Sequence, residues 1–146
     1  MALRRMDNVL IVVDDLEAAK AFFIELGMEV EGAMPIEGPW ADRVIGIDNT
    51  KAEIVMMRTP DGHGKIELDK FHAPAALDRD EKNAPVNTLG IRRIMFLVDD
   101  IEDVVARLRT HGAELMGEIV QYEDIYRLCY MRGPEGIMVG LAEELR

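Results

Sequence analysis

Two stretches of the chain share one hydrophobic pattern, a short apolar run followed by apolar residues at helical spacing. Val9–Val13 and Ile94–Val98 are continuous apolar runs of strand length, which predicts strands buried on both faces. Apolar residues then recur every three or four positions, which predicts an amphipathic helix in each stretch: Leu16, Ala19, Phe22, Phe23 and Leu26 in the first, and Ile101, Val104, Val105 and Leu108 in the second.

Each predicted helix carries its own start and stop signals. Asp14 and Asp99 precede the helices, and a glutamate follows three residues later in both, so each aspartate is predicted to be the N-cap of a capping box. Gly27 and Gly112 stand just past the last periodic residue, where a helix C-terminus favours a left-handed backbone. We therefore expect both helices to end at these glycines.

The two stretches are copies of one unit. Met6–Glu29 aligns without gaps onto Ile91–Glu114, and seven of the aligned positions are identical, including the Val-Asp-Asp triplet and the glycine after each helix. The matches fall on the strand end, the helix start and the helix stop, so an internal duplication explains them better than chance.

Strand-like sequence follows each helix. In the first copy we predict strands at 28–33, 42–47, 52–58 and 65–70, with a hairpin turn at 60–64; in the second we predict 114–121, 125–132 and 137–143, with a turn at 133–136. The predicted fold class is α+β, with two tandem βαβββ modules.

The modules are predicted to form one domain over 1–146. The first module covers 6–70 and the second covers 90–146. Between them, 71–89 is rich in Ala, Pro, Asp and Asn and is predicted to be a linker.

The composition and net charge of the chain exclude some classes of binding partner. The chain has 146 residues and is 49% hydrophobic, which suits one globular domain able to bury a core without disulfides or metal. Its net charge is −11, and it has no Lys/Arg run longer than two residues, so nucleic acid and anionic membranes are excluded as expected partners.

The cellular location is predicted to be the cytoplasm. The first apolar run is too short for a secretory signal, and no apolar stretch reaches the length of a membrane span. The single cysteine, Cys129, cannot form an intrachain disulfide, which suits a reducing compartment. It has no histidine at motif spacing, so we interpret it as a core residue rather than a nucleophile.

The repeated βαβββ unit, the opening "VDDLEAAKAFF" and the turn "GPEG" resemble the vicinal oxygen chelate superfamily, which includes glyoxalase I, bleomycin-resistance proteins, methylmalonyl-CoA epimerase and extradiol dioxygenases. The resemblance covers nearly the whole chain. It implies that the sheets curl into a cup around a small-molecule cavity. It also implies, for metal-using members, one ligand on the first and last strand of each module, commonly His or Glu.

Those four ligand positions fall here on Asn8, Glu67, Arg93 and Gly140. Only Glu67 has the residue type of the metal-using relatives. A metal site needs three or four ligands from His, Cys, Asp and Glu, and the guanidinium of Arg93 has no lone pair to give. We therefore predict no metal and no cofactor.

The change at these positions leaves two interpretations of Glu67 and Arg93 open. They form a structural ion pair, or Arg93 receives an anionic or carbonyl oxygen of a ligand. Since the duplication relates Asn8 to Arg93 and Glu67 to Gly140, we predict that Glu67 and Arg93 converge on one cavity.

Further candidates for the ligand-binding lining are Met95, Tyr126, Met138 and Trp40, each with an ordinary core or surface role as the alternative. Tyr126, Leu128 and Tyr130 share one face of an alternating strand. Of the three histidines, at 63, 72 and 111, only His72 remains a candidate, at the rim of the cavity.

Three functions follow from these observations. The first is a metal-free protein of the bleomycin-resistance type that binds an aromatic or amphipathic ligand, with Asn8 and Arg93 among its contacts. The second is a glyoxalase-type lyase, isomerase or epimerase with Glu67 as general base and Arg93 or Asn8 as the partner that stabilises an enolate oxygen in place of a metal. The third is a scaffold with a vestigial site. In each case one module leaves an apolar face to be covered, so we expect a homodimer or a compact monomer closed by its own modules.

Overall fold

The fold was obtained as a computed structural model, which describes residues 3–78 and 82–145. The chain divides into two compact units, Met1–Asp78 and Arg79–Arg146. Within the described residues no helix is both long and apolar enough to cross a membrane.

Unit 1, Met1–Asp78, contains one mixed sheet and two helices. Its elements are β1 (Val9–Val12), α1 (Leu16–Leu26), β2 (Glu29–Glu37), α2 (Pro39–Ile45), β3 (Lys51–Arg58) and β4 (Lys65–Ala73). The sheet order is β1-β4-β3-β2, with β1 parallel to β4 and the remaining neighbours antiparallel.

Helix α1 covers one face of this sheet. Its buried side chains are Ala19, Phe22, Phe23 and Leu26. Val55, Met57, Ile66 and Leu68 are the buried residues at alternate positions of β3 and β4, so they belong to the face that α1 covers. We call the opposite face the distal face of unit 1, and it carries Leu10, Val12, Met34, Ile54, Met56, Glu67 and Asp69.

Unit 2, Arg79–Arg146, repeats the arrangement. Its elements are β5 (Ile94–Leu97), α3 (Ile101–Arg109), β6 (Glu114–Leu115), β7 (Val120–Tyr122), β8 (Tyr126–Arg132), a 3-10 turn (Pro134–Gly136) and β9 (Met138–Glu144). The sheet order is β5-β9-β8-β6, and β7 also pairs with β8.

Helix α3 buries Ile101, Val104, Val105 and Leu108. By strand alternation, the buried residues Cys129, Met131, Val139 and Leu141 belong to the face that α3 covers. The distal face of unit 2, opposite α3, carries Arg93, Met95, Leu97, Tyr126, Leu128, Tyr130, Gly140 and Ala142.

The predicted α+β class and the βαβββ order of both units are confirmed, with three corrections. The strand predicted at 42–47 is wrong: Pro39 begins α2 there, and the Asp42 carboxylate accepts from the backbone N–H groups of Asn49 and Thr50, at 2.9 Å each. The strand predicted at 114–121 is divided into β6 and β7. Strand β4 continues to Ala73, inside the predicted linker 71–89, of which residues 79–81 lie outside the described part of the chain.

The helix boundaries also differ from prediction by one or two residues. The N-caps are Asp15 and Asp100, whose side chains accept from the N–H groups three residues later, and not Asp14 and Asp99. Gly27 is the predicted C-cap of α1, but Thr110 caps α3, and Gly112 follows with φ of 85°. Adjacent aspartates make the cap position ambiguous from sequence, because either can accept the same kind of hydrogen bond.

Candidate functional site

Glu67 lies on β4 beside a carboxyl group that the sequence analysis did not single out. Strand alternation places Glu67 and Asp69 on the same distal face of unit 1, and their side chains are hydrogen-bonded to each other. Asp69 is 6% exposed, and its Oδ1 has no hydrogen-bond partner among the described residues. The surrounding face is apolar, with Leu10 and Val12 on β1 and Ile54 and Met56 on β3.

This environment makes Asp69 a weak acid. Burial, followed by the hydrogen bond and the negative charge of Glu67, raises the pKa of Asp69 to about 8. A carboxyl group with this pKa holds its proton at neutral pH and can donate it to the Glu67 carboxylate. The sequence signal for this pair was two acidic residues two positions apart on one predicted strand, separated by Leu68.

Asn8, the first-strand position of unit 1, precedes β1 and is partly buried. Its side-chain amide donates to the Asp7 carboxylate at 2.9 Å, and this hydrogen bond is the main cause that lowers the pKa of Asp7. In the pairing of β1 with β4, the partner of Glu67 is Leu10 and not Asn8.

In unit 2 the first-strand position is an exposed arginine held by a tyrosine. Arg93 donates from Nε to the Tyr130 hydroxyl at 2.8 Å, and its guanidinium carbon lies 5.2 Å from the centroid of the Tyr130 ring. The contact is therefore a hydrogen bond combined with a cation–π interaction. Sequence alternation had placed Tyr130 with Tyr126 on one face but gave no reason to pair it with Arg93.

Gly140, the last-strand position of unit 2, is covered by the side chains of two neighbouring residues. It lies between Met95 on β5 and Tyr130 on β8 in the strand register. A Cβ atom at Gly140 would lie 2.6 Å from Met95 Sδ and 3.2 Å from Arg93 Cδ, both closer than ordinary contacts. The side chains of Arg93 and Met95 thus occupy the volume above this glycine.

The remaining predicted lining residues fall in different surroundings. Tyr126 lies on the distal face of unit 2 and is partly buried, whereas Met138 at the start of β9 is 5% exposed. Trp40 lies in α2 of unit 1 and is 53% exposed. His72 contacts Glu53 at 2.6 Å, and strand alternation puts it on the face opposite Glu67.

Cys129 is buried on β8, and burial raises the pKa of its thiol to about 11, so the thiolate is scarce at neutral pH. Among the described residues, no group of three or more His, Cys, Asp or Glu side chains is arranged to hold a metal ion.

Comparison with known families identifies the fold. The family model described as "Glyoxalase/Bleomycin resistance protein/Dioxygenase superfamily" matches residues 5–141. The chain belongs to this superfamily. Within the superfamily, a glyoxalase family protein from Bacillus cereus is 55% identical, with a TM-score of 0.95, over 100% of this chain and 97% of that one.

Two more distant proteins are similar over nearly their whole length. The YaeR protein of Escherichia coli (strain K12) is 24% identical over 99% of both chains. TnmS3, an antibiotic-binding protein from Streptomyces sp. CB03234, is 19% identical, with a TM-score of 0.59, over 99% of this chain and 98% of that one. At this identity the likeness to TnmS3 is one of fold.

Proposed function

We propose that this superfamily member is a metal-independent binding protein for a small aromatic or amphipathic molecule, with contacts on the distal faces of its sheets. The observation that carries the proposal is the arrangement of Arg93 and Gly140. At two positions where metal-using relatives supply ligands, this chain has a cation and a glycine, which has no side chain to supply a ligand.

The residues at these positions do not fit a divalent metal. A guanidinium cannot coordinate a cation and repels it, and Gly140 has no side chain that could coordinate one. Glu67 and Asn8 alone are fewer than the three or four ligands that such metals take. We therefore assign no metal-dependent step to this chain.

The chemistry of the distal faces supports an apolar ligand. In unit 2, Met95 and Leu97 are 37% and 62% exposed, and Tyr126 and Tyr130 add aromatic rings with hydroxyl groups. In unit 1, Leu10 and Met34 are 49% and 51% exposed near the Glu67–Asp69 pair. Apolar surface with a few polar groups is typical of sites that bind small organic molecules. TnmS3, which shares the fold, is itself an antibiotic-binding protein.

A thermal-shift screen tests the proposal. The protein is melted with and without EDTA in the presence of neutral and charged one- and two-ring aromatic compounds. A ligand at about 100 times its Kd stabilises by ~2.7 kcal/mol, which raises the Tm by roughly 5–10 °C at this chain length. A shift that EDTA leaves unchanged supports the proposal. No shift with any compound, or binding only after a divalent metal is added, contradicts it.

A second candidate, proton abstraction with Glu67 as the base, is favoured by the Glu67–Asp69 contact. An un-ionised Asp69 would leave the negative charge on Glu67, where it can accept a proton from a carbon next to a carbonyl group. The test is deuterium exchange at that carbon in D2O, followed by NMR on any carbonyl compound that the screen finds. Exchange that Glu67→Gln abolishes would favour the enzyme, and unchanged protons in the bound ligand would favour simple binding.

We also propose that the protein is a cytoplasmic homodimer. The exposed apolar side chains of β1 and β5 support this, because Leu10, Val12 and Leu97 are large and at least 39% exposed. The convergence of Glu67 and Arg93 on one cavity stays a prediction, and a double-mutant cycle on ligand affinity with Glu67→Gln and Arg93→Gln tests it.

A further inference from the structure

The contact with Tyr130 leaves one edge of the Arg93 guanidinium free. A guanidinium offers five N–H donors, and a carboxylate binds it either along the edge that includes Nε or end-on at the two terminal nitrogens. Tyr130 takes the Nε donor at 2.8 Å. Within residues 82–145, neither terminal nitrogen of Arg93 has a hydrogen-bond or ion-pair partner, so the end-on edge is available.

The other arginines of the same sheet are satisfied. Arg127 forms an ion pair with Glu102 at 2.8 Å, and Arg132 donates to the carbonyl oxygens of Gly136 and Ala84. Arg93 differs from them because, within the described part of unit 2, it bonds only through Nε, to the hydroxyl of Tyr130, whereas Arg127 and Arg132 bond through their terminal nitrogens.

Both the aliphatic stem and the guanidinium of Arg93 are held by neighbouring strands. Its Cδ lies 3.2 Å from where a Cβ of Gly140 would stand, so the aliphatic stem crosses β9 over the glycine. Tyr130, on the adjacent strand β8, pairs with Gly140 in the register and carries the hydroxyl that meets Nε. Stem and head group are thus both held, which reduces the entropy lost when a ligand binds.

We propose that the bound molecule is an aryl carboxylate, whose carboxylate Arg93 binds end-on through its terminal nitrogens while Tyr130 positions the guanidinium. This inference rests on the proposed function and adds the chemical class of the ligand. The two terminal nitrogens of the guanidinium lie in one plane, and their N–H groups match the two oxygens of a carboxylate. The exposed side chain of Met95 and the ring of Tyr126, on the same face, provide contacts for the aromatic part.

Isothermal titration calorimetry with two isosteric probes, 2-naphthoate and the neutral 2-naphthamide, tests the inference. The wild type should bind 2-naphthoate roughly 10- to 100-fold more tightly than 2-naphthamide, because hydrogen bonds to a charged acceptor are stronger than those to a neutral one by about this factor. Arg93→Gln should abolish this preference, because it should weaken the binding of 2-naphthoate far more than that of 2-naphthamide. Arg109→Gln, which removes a charge from the exposed end of α3, is the matched control and should keep the preference.

The variant Tyr130→Phe tests whether Tyr130 acts through its hydroxyl group, which positions Arg93, or only through its ring. It keeps the ring but removes the hydroxyl, so the preference for 2-naphthoate should fall without loss of 2-naphthamide binding. Arg93→Lys retains the charge but not the fork and should recover only part of the preference. An unchanged preference for 2-naphthoate in Tyr130→Phe would mean that the tyrosine acts only through its ring, and this would overturn its positioning role.

The outcomes distinguish this inference from the proposed function. Equal binding of the two probes, unchanged in Arg93→Gln, would overturn the carboxylate assignment and leave a small-molecule binding protein. Binding of neither probe to the wild type would overturn the assignment of an aryl carboxylate, and the broader screen would then decide the proposed function alone. A thermal melt of each variant confirms folding, which the exposure of Arg93 should leave intact.

Discussion

The replacement of Asp69 by asparagine should change how the stability of this protein depends on pH. Asp69 is 6% exposed, and burial together with Glu67 raises its pKa to about 8 from the usual 3.8. At a pH between 3.8 and about 8, the native protein holds a proton on Asp69 that the unfolded chain has released. Stability is therefore fully present below the unfolded pKa and falls as pH rises towards the folded pKa.

One extra proton in the native state gives a slope of about 1.4 kcal/mol per pH unit. Between about pH 5 and pH 7, Asp69 alone should lower the free energy of unfolding by roughly 2–3 kcal/mol. The introduced asparagine cannot ionise, so this contribution disappears in the variant, and its amide can still donate to Glu67. The variant should match the wild type only below the unfolded pKa of 3.8 and should become increasingly more stable than the wild type as the pH rises from 5 to 8.

The measurement is urea unfolding of wild type and Asp69→Asn at several values from pH 5 to pH 8. Titrating groups that do not interact with Asp69 cancel in the difference between the two proteins. Asp48→Asn, at an exposed aspartate, is the matched control and should follow the wild-type curve. Glu67→Gln should keep part of the slope, because burial is the largest cause of the shift. Parallel curves for wild type and Asp69→Asn would refute the assignment of a proton to Asp69.

Three further predictions concern the distal faces and the assembly. Gly140→Ala should change the free energy of unfolding by less than about 1 kcal/mol, because the exposed end of Met95 can turn away from the new methyl group and alanine is favoured over glycine in a strand by about 0.5–1 kcal/mol; a loss of more than about 3 kcal/mol would contradict this mobility of Met95. Elemental analysis after desalting should find no stoichiometric divalent metal, whereas one Zn, Ni, Fe or Mn per chain, lost in Glu67→Gln, would overturn the metal-free proposal. Sedimentation equilibrium should give the mass of a dimer, and an open monomer at micromolar concentration would contradict the proposed assembly.

The local elements of the fold could be predicted from the sequence because they depend on short-range patterns. The apolar runs at Val9–Val13 and Ile94–Val98, the helical spacing behind them and the repeated Val-Asp-Asp triplet define the start of each unit. The strand predicted at 42–47 was wrong because two local signals compete in that segment. The apolar residues at 44, 45 and 47 predicted a strand, but proline at the first helical position favours α2, and the Asp42 carboxylate holds the loop that follows the helix.

The site could be predicted only in part, since its chemistry depends on cross-strand neighbours. Sequence and family resemblance singled out Glu67, Arg93 and Gly140, because these positions carry ligands in related proteins. The pairing of β5, β9 and β8 is a long-range property, and it alone places Arg93 over Gly140 and against Tyr130. The acidity of Asp69 was likewise decided by tertiary structure, because a carboxyl group loses its charge only where the folded chain removes water around it.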